Sequence, residues 1–348
     1  MSQFVRPHLR QMAGYTPGEQ PRDGVYLKLN TNENPYPPSP RVFEAVRAAL
    51  TSERLRKYPD PLGTHFRQTA GRVLGVDPDA ILIGNGSDDV LTMVTRAFVP
   101  EGGLAASPTP SYILYKTLAE LQHARFQAVP FTSEWQLPRA WPVPDANLTF
   151  VANPNSPSGT VVGLPELERL AGELSGPLLL DEAYVAFAES DGLELLPRCR
   201  NVIVSRSFSK SHSLAGIRFG YALAEPALVR ELVKVKDSYN CDVLSLAAAA
   251  AAVEDQEYLR QTRAKILATR QRLADAMRRL GFEVCPSQAN FVWCRRGDRP
   301  VKPLYEELKR RLILVRYMDY REHGDGLRIT VGTDEEIDRL LEELARIL

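Results

Sequence analysis

Cysteine, histidine and net charge are all in short supply in this chain. Four cysteines, Cys199, Cys241, Cys285 and Cys294, stand far apart in 348 residues, and no close pair has the spacing of metal ligands. They read as reduced thiols of a cytoplasmic protein. The five histidines show no ligand spacing either, so no structural metal is expected. Lys+Arg and Asp+Glu balance at 43 each, which leaves no global field to draw nucleic acid or an acidic membrane surface. No apolar run approaches the roughly 20 residues of a membrane span. The first residues, Met1-Ser2-Gln3-Phe4-Val5-Arg6-Pro7, lack the apolar core of a signal peptide. What remains is ordinary for a globular protein: 44% hydrophobic, 25% charged, and long enough for a large core and two domains.

Residues 1–40 are rich in Pro, Gly and Asn and read as an irregular arm. Residues 41–52 have a helical pattern. Tyr58-Pro59-Asp60-Pro61-Leu62-Gly63 reads as a turn, with Thr64 the expected cap of the next helix. From about 80 to 225, apolar runs alternate with helical patterns. The runs are Ile81-Leu82-Ile83, Leu104-Ala105-Ala106, Phe126 to Val129, Leu148 to Ala152, Leu178-Leu179-Leu180, Val202-Ile203-Val204 and Phe219 to Leu223. Short, doubly buried strands separated by helices predict a mostly parallel sheet, with ligands beyond its C-terminal edge. Residues 226–280 are nearly continuously helical in pattern. The run Ala247 to Ala252 is too short for a membrane span and suits close helix packing or plain helix propensity. After Gly281 come strands near 282–285 and 290–294, a helix at 302–311, strands near 313–316 and 327–331, and a helix from about 334. The expectation is an α/β fold. A large three-layer domain with a mostly parallel central sheet spans 40–240, and 1–39 with 241–348 forms a smaller α+β domain.

The segments that carry chemistry follow the strand runs. Gly84-Asn85-Gly86-Ser87-Asp88-Asp89 opens a helix, and its glycines and free N–H groups make either an anion site or an ordinary turn. Asp89 stands where the third glycine of a dinucleotide fingerprint belongs. Asp181 ends Pro177-Leu178-Leu179-Leu180, and a carboxylate at the end of a buried strand needs a partner. It reads as a helix cap or as the partner of a protonated pyridine nitrogen, whose charge lets the ring accept electrons. Tyr184, three residues on, is either core or within reach of a ring hydroxyl. Asn153-Pro154-Asn155-Ser156-Pro157-Ser158-Gly159 is either a plain turn or the carrier of Asn155 as a donor to a ring oxygen. Tyr112, in Pro108-Thr109-Pro110-Ser111-Tyr112, is either core or a cover for a ring face.

Lys210 draws these parts together. The run Asn201-Val202-Ile203-Val204-Ser205 stops at Arg206-Ser207-Phe208-Ser209-Lys210, and Arg218 follows eight residues later. A lysine among hydroxyls suits a phosphorylated aldehyde: the amine forms a Schiff base, and the hydroxyls and guanidinium hold the phosphate. Ser207 and Lys210 also match the Ser-x-x-Lys of penicillin-binding enzymes, but the companion Ser-Asp-Asn and Lys-Thr-Gly segments are absent. A solvated surface lysine is the remaining reading, and the order of the segments favours the Schiff base.

In this order, over essentially the whole chain, the segments resemble the fold-type I family of pyridoxal-phosphate enzymes. The narrower likeness is to the histidinol-phosphate aminotransferases of the class II subgroup. It rests on Tyr15-x-Pro17-Gly18-Glu19-Gln20, Leu29-Asn30-Thr31-Asn32-Glu33-Asn34-Pro35, Tyr58-Pro59-Asp60, Asp181-Glu182-Ala183-Tyr184 and Gly326-Leu327-Arg328-Ile329-Thr330-Val331-Gly332-Thr333. The resemblance implies pyridoxal 5′-phosphate as cofactor, with Lys210 as its internal aldimine. It implies Asp181 on the ring nitrogen, Asn155 and Tyr184 on O3′, and Tyr112 stacked on the ring. Ser207, Ser209, Arg218 and the backbone at Ser87 and Asp88 would hold the cofactor phosphate. Tyr58 would reach the phosphate of the neighbouring subunit, making a homodimer with shared active sites. Arg316 and Arg328 would bind the substrate phosphate and, in the other half-reaction, the glutamate carboxylate. Tyr15 and Asn32 would close over the substrate.

Two departures lie near the site. His212-Ser213 replaces the family's aromatic-glycine pair, and Ser156 and Ser158 replace two residues of the Asn-Pro-Asn-Asn-Pro-Thr-Gly loop. The implied activity is reversible transamination of L-histidinol phosphate with 2-oxoglutarate in histidine biosynthesis, giving imidazole acetol phosphate and L-glutamate. Lys210 would move the proton from substrate Cα to cofactor C4′. The rivals are an aromatic amino acid aminotransferase, a phosphothreonine-type decarboxylase and a non-catalytic regulator on the same fold. A nicotinamide enzyme is disfavoured by the incomplete glycine fingerprint. The expected partners are small molecules and a second copy of the chain, with no nucleic acid and no membrane.

Overall fold

The computed structural model describes residues 3–14, 18–21 and 24–348. The arm contributes one short strand, β1 (Leu27–Lys28), and is followed by α1 (Pro40–Ala49), α2 (Ser52–Leu55) and α3 (Thr64–Leu74). Ser39 starts α1, its hydroxyl accepting from Arg41 N, while Pro40, which has no N–H to satisfy, takes the first helical position. The helix expected over 41–52 stops earlier, and Thr51 caps a separate turn. Thr64, expected as a cap, is instead the first helical residue of α3. The capping carboxylate is Asp60, whose Oδ2 accepts from Thr64 N at 2.7 Å. Gly63 between them has φ 59, a conformation that a Cβ disfavours.

Next come β2 (Ile81–Gly84), α4 (Ser87–Phe98), β3 (Leu104–Thr109), α5 (Leu114–Leu121), β4 (Arg125–Pro130) and β5 (Leu148–Ala152). They are followed by α6 (Leu164–Glu173), β6 (Leu178–Asp181), β7 (Val202–Ser207), α7 (Phe208–Ser211) and β8 (Gly220–Ala224). The strands form one seven-stranded sheet in the order β2-β8-β7-β6-β5-β3-β4, so each expected apolar run is a strand. Neighbours are parallel except at β8, which is antiparallel to both β7 and β2. Side chains alternate between two cores. Ile81, Ile83, Leu178, Leu180, Val202 and Val204 face one, and Leu82, Phe150, Leu179, Ile203 and Ala222 face the other. That period of two, apolar on both faces, is why the strands read as unbroken hydrophobic runs.

The helical stretch expected over 226–280 is three helices, α8 (Pro226–Val233), α9 (Val243–Glu254) and α10 (Gln256–Arg279). Asp242 caps α9 by accepting from Leu244 N and Ser245 N. The chain then forms β9 (Glu283–Val284), β10 (Phe291–Arg295), α11 (Lys302–Arg310), β11 (Ile313–Leu314), β12 (Arg316–Tyr320), β13 (Gly324–Thr330) and α12 (Asp334–Ile347). Strands β12-β13-β10-β9 make a four-stranded antiparallel sheet. Its core includes Leu273, Met277, Val292, Ile329 and Leu340, and the arm joins this unit because β1 pairs in parallel with β11. Among the described residues no helix is long and apolar enough to cross a membrane.

Helix α9 packs on α1 and α3, and Ala248, Ala249 and Ala252 share a core with Val42, Phe66 and Ala70. The alanine run therefore acts through close approach of backbones, on the side of the large sheet. Ala249 is fully buried there. Ala249→Leu is expected to overpack this contact at a cost of about 1–3 kcal/mol. A lower urea midpoint with an unchanged slope would register that cost; an unmoved midpoint would show that α9 has room to spare.

Candidate active site

The reversal of β8 sets the geometry of one sheet edge. Its first residue, Gly220, pairs with Ser207 at the end of β7 and with Gly84 at the end of β2. Arg218, just ahead of β8, is thereby returned to the C-terminal edge of the other strands. Ala152, Asp181 and Ser205 stand level across β5, β6 and β7. The same edge carries Ser87 and Asp88 after β2, Tyr112 after β3, Asn155 after β5, Tyr184 after β6, and Ser207, Ser209 and Lys210 at β7. Ligands of open α/β sheets bind at this edge.

At one end of the edge the chain forms an anion cradle. Ser87 opens α4, so the N–H groups of Ser87 and Asp88 have no acceptor inside the helix. A Cβ on Gly220 would lie 2.5 Å from Ser87 N, so glycine is what lets the strand pass beneath the helix start. Arg218 Nη1 donates to Ser209 Oγ at 3.3 Å, and Nη2 lies 3.6 Å from Asp88 Oδ2. Ser207 Oγ accepts from Ser209 N at 3.2 Å, which fixes the short turn that carries Lys210. Asp89, the residue that spoils a dinucleotide fingerprint, accepts from Asn85 N and Asn240 Nδ2, both at 2.9 Å. Its role is to hold the turn.

Asp181 is buried, with Oδ2 accepting from Tyr115 Oη at 2.7 Å and Oδ1 from Ala183 N at 3.2 Å. Burial pushes its pKa up to about 6, and the two hydrogen bonds pull the other way. Asp181 is thus both a turn cap and a carboxylate with capacity to spare. Tyr112 donates to Asp88 Oδ1 at 3.2 Å and meets Tyr115 edge-on. Asn155 is buried; its Nδ2 donates to Pro110 O at 3.2 Å and Ser158 Oγ at 3.1 Å. Its Oδ1 has no partner among the described residues. A buried amide edge left open costs free energy unless a ligand meets it. A half-turn of the amide presents N–H there at the cost of the hydrogen bond to Pro110 O.

Lys210 is partly buried, and its Nζ donates to Thr31 O in the arm at 2.8 Å. Burial, with Arg328 and Arg218 adding to it against Glu33 and Asp88, pulls its pKa down to about 8. Asn34 Nδ2 donates to Lys210 O at 3.0 Å, so the arm segment lies against the lysine turn. Asn32 Nδ2 donates to Tyr184 Oη at 2.9 Å, and Thr330 Oγ1 donates to Asn32 Oδ1 at 3.1 Å. Arg328 Nη1 donates to Ser156 Oγ and Nη2 to Asn30 O, both at 2.9 Å. Arg316 is the direct cross-strand partner of Arg328 and has no ion pair among the described residues. Like charges placed opposite each other on a sheet repel unless an anion joins them.

One of the expected site residues is not in this cluster. Tyr58 is 80% exposed and stacks on Tyr239, with ring centroids 4.5 Å apart. Tyr15 lies outside the described residues. His212 stacks on Phe208, its Nδ1 2.6 Å from Ser211 Oγ, and burial pulls its pKa down to about 4. Ser213 takes φ 61, which explains why glycine is usual there. Sequence reasoning missed Tyr115, whose signal is its spacing of three from Tyr112 at the start of a helix. It also missed the buried pair of Glu182 and Arg206, joined at 2.8 Å, with Asp191 2.9 Å from the same guanidinium. Adjacent to Asp181 and Ser207, this pair ties β6 to β7, and nothing in the spacing of the two residues announces it.

An open amide edge, a buried carboxylate, a helix N-terminus with arginine and serine, and a lysine of depressed pKa fit a phosphorylated pyridine aldehyde. Known proteins agree with that chemistry. A histidinol-phosphate aminotransferase from Rhodopirellula baltica is 49% identical over 346 residues, covering 99% of this chain and 95% of that protein. Histidinol-phosphate aminotransferase 1 from Trichormus variabilis is 44% identical over 350 residues and covers 100% of both chains. The crystal structure of histidinol-phosphate aminotransferase from Sinorhizobium meliloti in complex with pyridoxal-5′-phosphate superposes with a TM-score of 0.88 at 26% identity, over 100% of this chain and 99% of that one. The family model for aminotransferase class I and II matches residues 25–344, and the chain belongs to that family.

Proposed function

We propose that this enzyme, whose cofactor is pyridoxal 5′-phosphate, transfers the amino group of L-histidinol phosphate to 2-oxoglutarate in histidine biosynthesis. The observation that carries the substrate is the cross-strand pairing of Arg316 with Arg328, whose charge acts on Lys210. Two guanidiniums suit a dianionic phosphate in one half-reaction and the carboxylates of 2-oxoglutarate and glutamate in the other. Relatives of this name at 44–49% identity support the reading.

The cofactor supplies an aldehyde that captures the substrate amine and a ring that accepts electrons. The protein does the rest. Lys210 Nζ takes the proton from substrate Cα, a task for a neutral amine, which its surroundings favour. Asp181 holds positive charge on the ring nitrogen, and Asn155 with Tyr184 holds the ring oxygen. Tyr112 covers the ring face. Ser207, Ser209, Arg218 and the α4 N–H groups of Ser87 and Asp88 hold the cofactor phosphate. Asn32, tied to Tyr184, and Tyr15 complete the substrate side from the arm. Tyr58 of the partner subunit closes the phosphate site, which makes the working form a homodimer, and we place it in the cytoplasm as a biosynthetic enzyme. The exposure of Tyr58 fits that contact, as do the exposed Leu50, Leu55 and Leu62 on the same segment. We take 40–240 as the cofactor-binding domain, extended by α9, and the rest of the chain with the arm as the small domain.

Single turnover of the loaded enzyme tests the substrate. L-Histidinol phosphate should bleach the visible cofactor band faster than phenylalanine, tyrosine or phosphothreonine. Faster bleaching by an aromatic amino acid moves the substrate, and carbon dioxide from phosphothreonine moves the reaction. Lys210→Ala should lose at least about 10²-fold in turnover while still binding cofactor non-covalently. Arg328→Lys, which gives up a planar fork for a point charge, should raise KM about tenfold with kcat little changed. Equal losses in both parameters would remove Arg328 from a pure binding role.

The pKa of Lys210 sets a pH dependence. Only the neutral amine attacks an aldehyde, so the cofactor-free protein should take up added pyridoxal phosphate faster as pH rises, levelling above about 8. A rate that is flat from pH 6 to 8 would contradict the burial argument. Mixing Lys210→Ala with Tyr58→Ala subunits should restore roughly a quarter of parental activity, since half the dimers then carry one intact site of two. No recovery would show that Tyr58 does not cross to a partner.

A further inference from the structure

Asp181 has one side-chain donor among the described residues, Tyr115 on α5, whose hydroxyl lies 2.7 Å from Oδ2. Tyr115 is fully buried. Its ring stacks on Phe150 of β5, with centroids 4.7 Å apart and planes 6° apart, and meets Tyr112 edge-on at 5.7 Å. Packing therefore places the phenol, and the phenol places the carboxylate. The other oxygen, Oδ1, accepts from Ala183 N at 3.2 Å. A carboxylate has about four acceptor sites. Two fixed donors set its plane and leave lone pairs for one further N–H.

We infer that Tyr115 is a positioning residue for the transamination: it orients the Asp181 carboxylate and keeps it in the charged form that pairs with a cationic ring nitrogen. The inference rests on the proposed placement of Asp181 against that nitrogen. Burial drives Asp181 toward its neutral form, and the Tyr115 hydrogen bond is the side-chain contact that opposes it. The charge of Asp88 adds to the push toward the neutral form, and the only other opposing contact among the described residues is Ala183 N. Tyr115 itself stays protonated, because burial and the charge of Asp181 push its pKa well above the ordinary value, with Tyr112 and Tyr184 adding to that. A phenol that does not ionise points its proton in one direction, and the carboxylate follows it.

Tyr115→Phe removes the hydroxyl and keeps the ring and its two aromatic contacts. In cofactor-free protein the carboxyl of Asp181, followed by ¹³C NMR and assigned with Asp181→Asn, should titrate about one to two pH units higher than in the parent. In the loaded enzyme, kcat at pH 7 should fall about tenfold with KM for the amino donor within about twofold, and should recover as pH rises past the new Asp181 midpoint. A merely structural tyrosine would lower the melting temperature and leave that midpoint in place. An unmoved midpoint overturns the inference. So does a moved midpoint with kcat unchanged at every pH, and Asp181→Asn then locates the fault. If Asp181→Asn is also fully active, the placement of Asp181 on the ring nitrogen has failed; if it is inactive, only the role of Tyr115 has.

Discussion

The register of the large sheet is the constraint on which the rest of the molecule depends. Parallel strands bury both faces, so their polar groups are expelled to the strand ends, and the ends are level because the ladder hydrogen bonds make them so. Ala152, Asp181 and Ser205 share one row for this reason. The single reversed strand, β8, then brings Arg218 back to the edge that the other strands point toward. A slip of one residue in β6 would turn Asp181 into one of the packed apolar faces, where its charge has no partner.

Burial at that edge acts in opposite directions on the two groups that matter most. It raises the pKa of Asp181 to about 6 and lowers that of Lys210 to about 8. Each shift follows from the same cause, the poor solvation of charge. The result is a carboxylate and an amine that both lie within reach of neutral pH. Neighbouring groups trim rather than create these shifts: Tyr115 for Asp181, and Arg328 and Arg218 for Lys210.

The small domain and the arm give the site its second wall. Arg316 and Arg328 are set opposite each other by the β12–β13 ladder. Ser156 and the carbonyl of Asn30 hold the Arg328 fork in position. Ser156 is also one of the two positions that depart from the common loop sequence. The arm contacts Lys210 through Thr31 and Tyr184 through Asn32. Elements remote in sequence therefore converge on Lys210 and Tyr184.

Much of this was legible in the sequence. Seven apolar runs gave seven strands, because a doubly buried strand must be hydrophobic throughout. Lys210, Asp181, Asn155 and Arg218 were legible because each follows a strand or flanks one, and polar residues at such places need a reason. Boundaries were less clear. The 226–280 stretch reads as nearly continuously helical, while the structure divides it into three helices, with Asp242 starting the second. Thr64 has the right chemistry for a cap, yet Asp60 reaches the N–H first through the turn at Gly63. The sequence by itself determined the strands, the order of the segments and the type of chemistry, since these follow from local pattern and residue type. Only the tertiary structure decided that Tyr115 grips Asp181, that Glu182 pairs with Arg206 and that two arginines face each other across a ladder. Those contacts join different elements, and the distance between residues on different elements is set by packing, which no local pattern records.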